Sequence, residues 1–90
     1  MAEVHFATAL SRFYPSLKTE IIEATTVKEL VDKLDGIYEN LSQYIVDDAG
    51  QLRKHVNIFV NNEMIADRKG LSDGLNESDK VHFMQALSGG

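Results

Sequence analysis

Three histidines, two adjacent aspartates and a closing pair of glycines are the residues of this 90-residue chain whose types and spacing bear on chemistry. His5, His55 and His82 fall on or beside alternating apolar stretches, and no two stand one helical turn apart. No helix can therefore turn two imidazoles toward one metal, and partly exposed strand histidines are the plainer reading. His5 and His82 share the same strand parity, so they meet if their strands pair. Asp47-Asp48 beside Gly50 fits a solvated loop tip better than a cation site. Gly70 and Gly74 lack the strand-then-helix setting that a phosphate loop requires. No nucleophile with a neighbouring base can be argued from the sequence. The expectation is a chain with no catalytic residue and no metal site of its own.

The ending Ser88-Gly89-Gly90 is the feature that carries chemistry. Two residues without a Cβ pass through a narrow channel and let another protein's groups approach the backbone closely. A terminal carboxylate is a poor electrophile, and chemistry there needs activation, normally as an acyl adenylate. A frayed terminus has the same composition. What favours a working tail is its position directly after an alternating strand. Gly90 is thus the expected point of covalent chemistry, with Gly89 and Ser88 giving access to it.

The elements that must hold this tail are legible from periodicity. Glu3–Leu10 alternates, with Val4, Phe6 and Leu10 on one side, and reads as a half-buried strand. A polar turn containing Pro15 leads into a second strand within Leu17–Ala24, making an N-terminal hairpin. Thr26-Val27-Lys28-Glu29 matches a capping box, and Val27, Leu30, Val31 and Leu34 behind it form one apolar stripe. The spacing predicts a helix over Val27–Asp35, with Gly36 as its stop. Tyr38, Leu41, Tyr44 and Ile45 fit a short helical turn. Val56, Ile58 and Val60 alternate in a third strand, Asn61-Asn62 turns it into a short return over Glu63–Ile65, and Lys80–Leu87 alternates again. The order strand, strand, helix, irregular crossover, strand, short strand, strand predicts an α+β fold, a mixed sheet of four or five strands with one helix across one face. Residues 1–87 are the expected domain and residues 88–90 its flexible tail.

Composition narrows the function classes. With 43% hydrophobic and 26% charged residues, the chain fills one small core and no more. A net charge of -5 argues against nucleic-acid binding and favours basic rims on protein partners. The absence of cysteine excludes a disulfide scaffold and a thiolate zinc site and fits a reducing compartment. There is no apolar run of membrane-spanning length and no leader pattern, so a cytoplasmic domain without membrane association is expected.

Several stretches together resemble the β-grasp, ubiquitin-like sulfur carriers of the molybdopterin-synthase-small-subunit and thiamine-carrier group. They are Val56-Asn57-Ile58-Phe59-Val60-Asn61-Asn62-Glu63, Leu71-Ser72-Asp73-Gly74-Leu75, Glu77-Ser78-Asp79-Lys80-Val81-His82-Phe83 and the ending Ala86-Leu87-Ser88-Gly89-Gly90. The length of the segment from Ile37 to His55 looks most like carriers of cysteine biosynthesis and archaeal small modifier proteins. Two departures stand out: many members carry proline where this chain has Gln85-Ala86-Leu87, and Ser88 replaces a frequent alanine. The resemblance implies that a ubiquitin-activating-type adenylyltransferase, using ATP and Mg²⁺, adenylates Gly90. A sulfur donor then makes the Gly90 thiocarboxylate, and an acceptor enzyme passes the sulfur to a metabolite or tRNA. Alternatively, the carboxyl becomes linked to lysines of target proteins. The chain itself is then a carrier and no enzyme. The other reading is a non-covalent ubiquitin-like module whose tail is inert.

Strand parity adds a docking surface. Phe59 and Met84, with His5 and His82 beside them, should face away from the helix, and apolar side chains clustered on one face are typical of an interface centre. The alternative is that the segment from Ile37 to Ile45 covers that face.

Overall fold

The computed structural model describes residues 2–6 and 17–85. Five strands form one mixed sheet: β1 (Ala2–Phe6), β2 (Glu20–Ile22), β3 (Val56–Val60), β4 (Glu63–Met64) and β5 (Lys80–Gln85), in the spatial order β2-β1-β5-β3-β4. The last strand in sequence is therefore the central one. β5 runs parallel to β1, pairing Glu3 through Phe6 with Lys80 through Phe83, and antiparallel to β3, pairing Val56 with Gln85 and Val60 with Val81. A long helix, α1 (Val27–Ile37), and a single turn, α2 (Ser42–Ile45), fill the connection between the two strand pairs.

Alternation sets which side chains go inward. Ala2, Val4, Val56, Ile58, Val81 and Phe83 are buried and meet Val27, Leu30, Val31 and Leu34 of α1 in one core. Phe6 packs at the margin of that core, its ring stacked on Phe83 at 5.7 Å between centroids and edge-on to Tyr38 at 6.0 Å. The segment after α1 does not cover the opposite face. Tyr38, Leu41 and Ile45 are buried in the core that α1 itself lines, and α2 packs against α1.

The start of α1 is the expected capping box. The backbone N–H of Glu29 donates to the Thr26 hydroxyl at 3.1 Å, while Glu29 Oε1 accepts from the N–H of Thr25, one residue before the cap, at 2.8 Å. Two further helix-start donors, the N–H groups of Val27 and Lys28, reach the carbonyls of Asp73 and Leu71. The end of α1 corrects the expectation. Gly36 does not stop the helix; it lies within the last turn, and α1 runs on to Ile37. The N–H of Tyr38 still bonds to the Leu34 carbonyl, and the continued turn delivers the Tyr38 ring into the core. The left-handed residue comes later, at Asn40, φ 64°. Of the N-terminal hairpin, the part over residues 7–16 lies outside the described residues, and the second strand is shorter than the Leu17–Ala24 expectation.

Two polar networks fix the loops that flank the sheet. Asn61 and Asn62 adopt left-handed backbone, as the tight β3–β4 turn requires. The Asn61 amide donates to Asp79 at 2.7 Å and accepts from the Lys80 N–H at 2.9 Å, and Asp79 also accepts from the Asn76 N–H at 2.8 Å. The turn is thereby tied to the beginning of β5, which explains why Asp79 is buried.

Asp67 organises the loop that caps α1. Its carboxylate accepts from the Ser72 hydroxyl at 2.6 Å and from the backbone N–H groups of Gly70, Ser72 and Lys69. The Ser72 hydroxyl, and then those N–H groups, lower its pKa from the ordinary 3.8 to about 2. A depressed carboxyl favours the folded loop above the ordinary value, and that contribution is lost as pH falls through the folded one. Backbone amide exchange should therefore show Gly70 and Ser72 protected above pH 3.8 and opening toward about pH 2, with Asp67→Asn removing the transition. Identical exchange in the variant and the wild type would contradict this role.

Candidate functional site

The expected site has two parts, a tail and a sheet face. Ser88, Gly89 and Gly90 lie outside the described residues, as do Ala86 and Leu87. What the structure supplies is their anchor. Gln85, the last residue of β5, pairs with Val56, the first residue of β3, in the middle of the sheet. β5 is paired on both sides over Val81–Phe83, and at Gln85 it is held by β3.

The four residues expected to dock a partner do come together. His5 pairs with His82 across the parallel β1–β5 ladder, His82 pairs with Phe59 across β5–β3, and Phe59 pairs with Met64 across β3–β4. One row thus crosses the sheet on the side away from α1: His5, His82, Phe59, Met64. Met84 stands two residues from His82 on the same side of β5. The imidazoles of His5 and His82 stack at 4.7 Å with 10° between their planes. His5 Nε2 donates to Glu3 at 2.8 Å, and the Thr19 hydroxyl lies 3.5 Å from Nδ1. That ring hydrogen bond is the main influence holding the Glu3 carboxyl below its ordinary value. His5 is thus positioned by Glu3 on its own strand and by Thr19 just before β2. Among the described residues no group of three or more histidines, cysteines or acids is placed to hold a metal ion.

The face is open and partly apolar. Met84 is 44% exposed and Met64 50%, while Phe59 is half-buried. Phe59, Asn62, His82 and Met84 line a shallow depression of about 290 Å³. Met64 and Ile21 belong to this side as well and were not legible as such in the sequence. Met64 is fixed there by its pairing with Phe59, and Ile21 by its pairing with Glu3. The apolar Ile65 next to Met64 was the available signal, since adjacent residues of extended chain point to opposite faces and Ile65 is the buried one.

No described helix is long and apolar enough to cross a membrane. The mixed sheet with β5 in its centre, crossed on one face by a single long helix, defines a β-grasp domain of the ubiquitin-like class. More narrowly, the chain belongs to the ThiS family, whose model matches residues 4–90. It is 30% identical over 67 residues to the sulfur carrier protein CysO of Mycobacterium tuberculosis, covering 72% of each chain. The solved structure of that relative matches with a TM-score of 0.83 at 25% identity, covering 97% of this chain and 100% of that one. It is 24% identical over 75 residues to small archaeal modifier protein 3 of Haloferax volcanii, covering 83% of this chain and 80% of the relative. A chain of the Amycolatopsis orientalis BexX/CysO complex matches with a TM-score of 0.86 at 22% identity, covering 100% of both.

Proposed function

We propose that this protein is a sulfur carrier that works through the carboxylate of Gly90. The observation that carries the reading is the match to the ThiS family over residues 4–90, together with the similarity to a relative named as a sulfur carrier. The fold adds a physical argument. The strand that leads to the tail is the central one of the sheet. Such a chain acts as a substrate held on a folded handle.

The chemistry is adenylation followed by sulfur transfer. A Gly90 carboxylate oxygen attacks the α-phosphorus of ATP, with Mg²⁺ on the phosphates, and pyrophosphate leaves. Hydrosulfide released by a sulfur donor then attacks the activated carbonyl carbon, AMP leaves, and the Gly90 thiocarboxylate remains. Its partner enzymes are an adenylyltransferase of the ubiquitin-activating type, which holds the nucleotide and metal, and a sulfur-transfer enzyme that hands the sulfur to a metabolite or tRNA. Gly89 and Ser88 supply slimness along the path to Gly90. Similarity to a small archaeal modifier protein favours a second outcome from the same adenylate, linkage of Gly90 to lysines of target proteins. The reading treats residues 1–87 as the domain and residues 88–90 as the tail, within the cytoplasm.

The row His5, His82, Phe59, with Met84 beside it, is the surface on which the adenylyltransferase sits. Its centre is Phe59, half-buried between an imidazole and a methionine, the kind of anchor that dominates interface energetics. Phe59→Asp places a charge at that centre. ATP–pyrophosphate exchange driven by the variant should fall at least tenfold, about 1.4 kcal/mol or more of lost docking, with the circular dichroism of the fold retained. Unchanged exchange kinetics in a folded variant would remove this face from the proposal.

A further inference from the structure

The chain is acidic as a whole, yet its charge is reversed where the tail departs. Arg53, Lys54 and Arg68 are three of the nine lysines and arginines, and hydrogen bonds bring Arg68 onto the turn that carries the other two. The N–H of Leu52 bonds to the Arg68 carbonyl at 2.7 Å, and the Arg68 guanidinium donates to the carbonyls of Arg53 and Val56, both at 3.0 Å, and to Asn57 Oδ1 at 2.9 Å. Arg53 Nε in turn donates to the Gln43 carbonyl at 2.6 Å. Residues 53–56 form a tight turn closed by the Val56 N–H on the Arg53 carbonyl, with Lys54 and His55 exposed at its tip. That turn leads straight into Val56, the residue paired with Gln85. The basic turn and the point where residues 86–90 begin are therefore neighbours across one ladder rung.

The depression beside this turn is lined by Gln43, Tyr44, Arg53, His55 and Val56 and contains no acid. Asp47 and Asp48 line an adjoining depression that shares Gln43 and Arg53 with it. Five residues of chain reach at most about 17 Å. Any protein that holds Gly90 must consequently come within about that distance of Lys54 and His55, close enough for charges on its rim to be felt at low salt.

Building on the carrier reading, we propose that the Arg53-Lys54-His55 turn docks an acidic rim on the adenylyltransferase that receives the tail. The net charge of -5 disfavours an acidic surface elsewhere, so the corner would orient the encounter and bring the tail in first. The general acidity of the chain points to basic rims; at the tail exit the required sign is the opposite one.

The test is ATP–pyrophosphate exchange by the cognate adenylyltransferase, titrated with the full chain. The double variant Lys54→Glu, His55→Glu alters exposed side chains at the turn tip and leaves the Arg53 and Arg68 hydrogen bonds in place. Its KM for the carrier should rise roughly tenfold at low ionic strength with kcat unchanged, and the gap should close as salt is raised. Lys28→Glu, which reverses one charge on exposed α1, should leave KM near the wild-type value. A KM unchanged in the double variant, or raised equally by Lys28→Glu, overturns the docking turn while the carrier reading stands. Absence of exchange with the wild-type chain overturns both.

Discussion

Removing Gly90 should abolish the carrier reactions proposed for this protein while leaving its fold and thermal stability unchanged. The expectation follows from a separation in the structure between what is held and what reacts. The core residues of the described chain end with Phe83, and the pairing that fixes β5 is complete at Gln85. None of these described core residues or pairings lies beyond Gln85. In the proposed chemistry the acyl group of the adenylate is the Gly90 carboxyl itself, and a chain ending one residue earlier would present its carboxyl about 3.5 Å short of where it is needed. Misplacement of that size in an enzyme that relies on orientation costs orders of magnitude in rate. Measured as ATP–pyrophosphate exchange, the truncated chain should be at background. A truncated chain that still performs its cellular role would instead mark a non-covalent module with an inert tail.

The largest effect on stability should come from Phe83→Ala. Phe83 is fully buried on the central strand, pairs with Phe6 on one side and Ile58 on the other, and faces the apolar stripe of α1. The site is walled by two strands and a helix, so the cavity left by the ring cannot collapse easily. Truncations of this kind cost about 3–5 kcal/mol. A domain of this size has a total stability on the order of 5–15 kcal/mol, so the variant should lose a large fraction of it. The melting midpoint should drop by roughly 15 °C or more, read by circular dichroism. A shift of only a few degrees would contradict the central position of β5. Because β5 carries the tail, the same variant should also lose carrier activity above its lowered midpoint.

The two effects show which parts of the protein were readable in its sequence. Phe83 and its neighbours announced themselves through alternation, and α1 through a capping box and an apolar stripe. Both are local patterns, set by residues within one turn or one strand. The end of α1 was not readable in the same way. Gly36 permits a left-handed stop, but permission is not requirement, and burial of Tyr38 is a tertiary gain that continues the helix past it. Tyr38 also donates its hydroxyl to Glu20, a partner on β2 that no local pattern reveals.

The candidate site divides along the same line. His5, His82, Phe59 and Met84 could be placed on one face from parity alone, and the stacked imidazoles needed only the pairing of their strands. Met64 and Ile21 escaped because β4 has two residues and β2 three, too few for alternation to register. The basic corner escaped for a different reason. Arg53 and Arg68 are distant in sequence, and nothing short of the β3–β5 register puts them beside the exit of the tail. Pairing registers of non-consecutive strands are the information that sequence periodicity lacks.

The most direct test of the central claim is the intact mass of the full chain after co-expression with its adenylyltransferase and a sulfur donor. A carrier gains the mass difference of one sulfur over one oxygen, and fragmentation places that gain on Gly90. A chain that stays at its sequence mass under conditions that sustain ATP–pyrophosphate exchange would contradict the thiocarboxylate, and with it the function proposed for this protein.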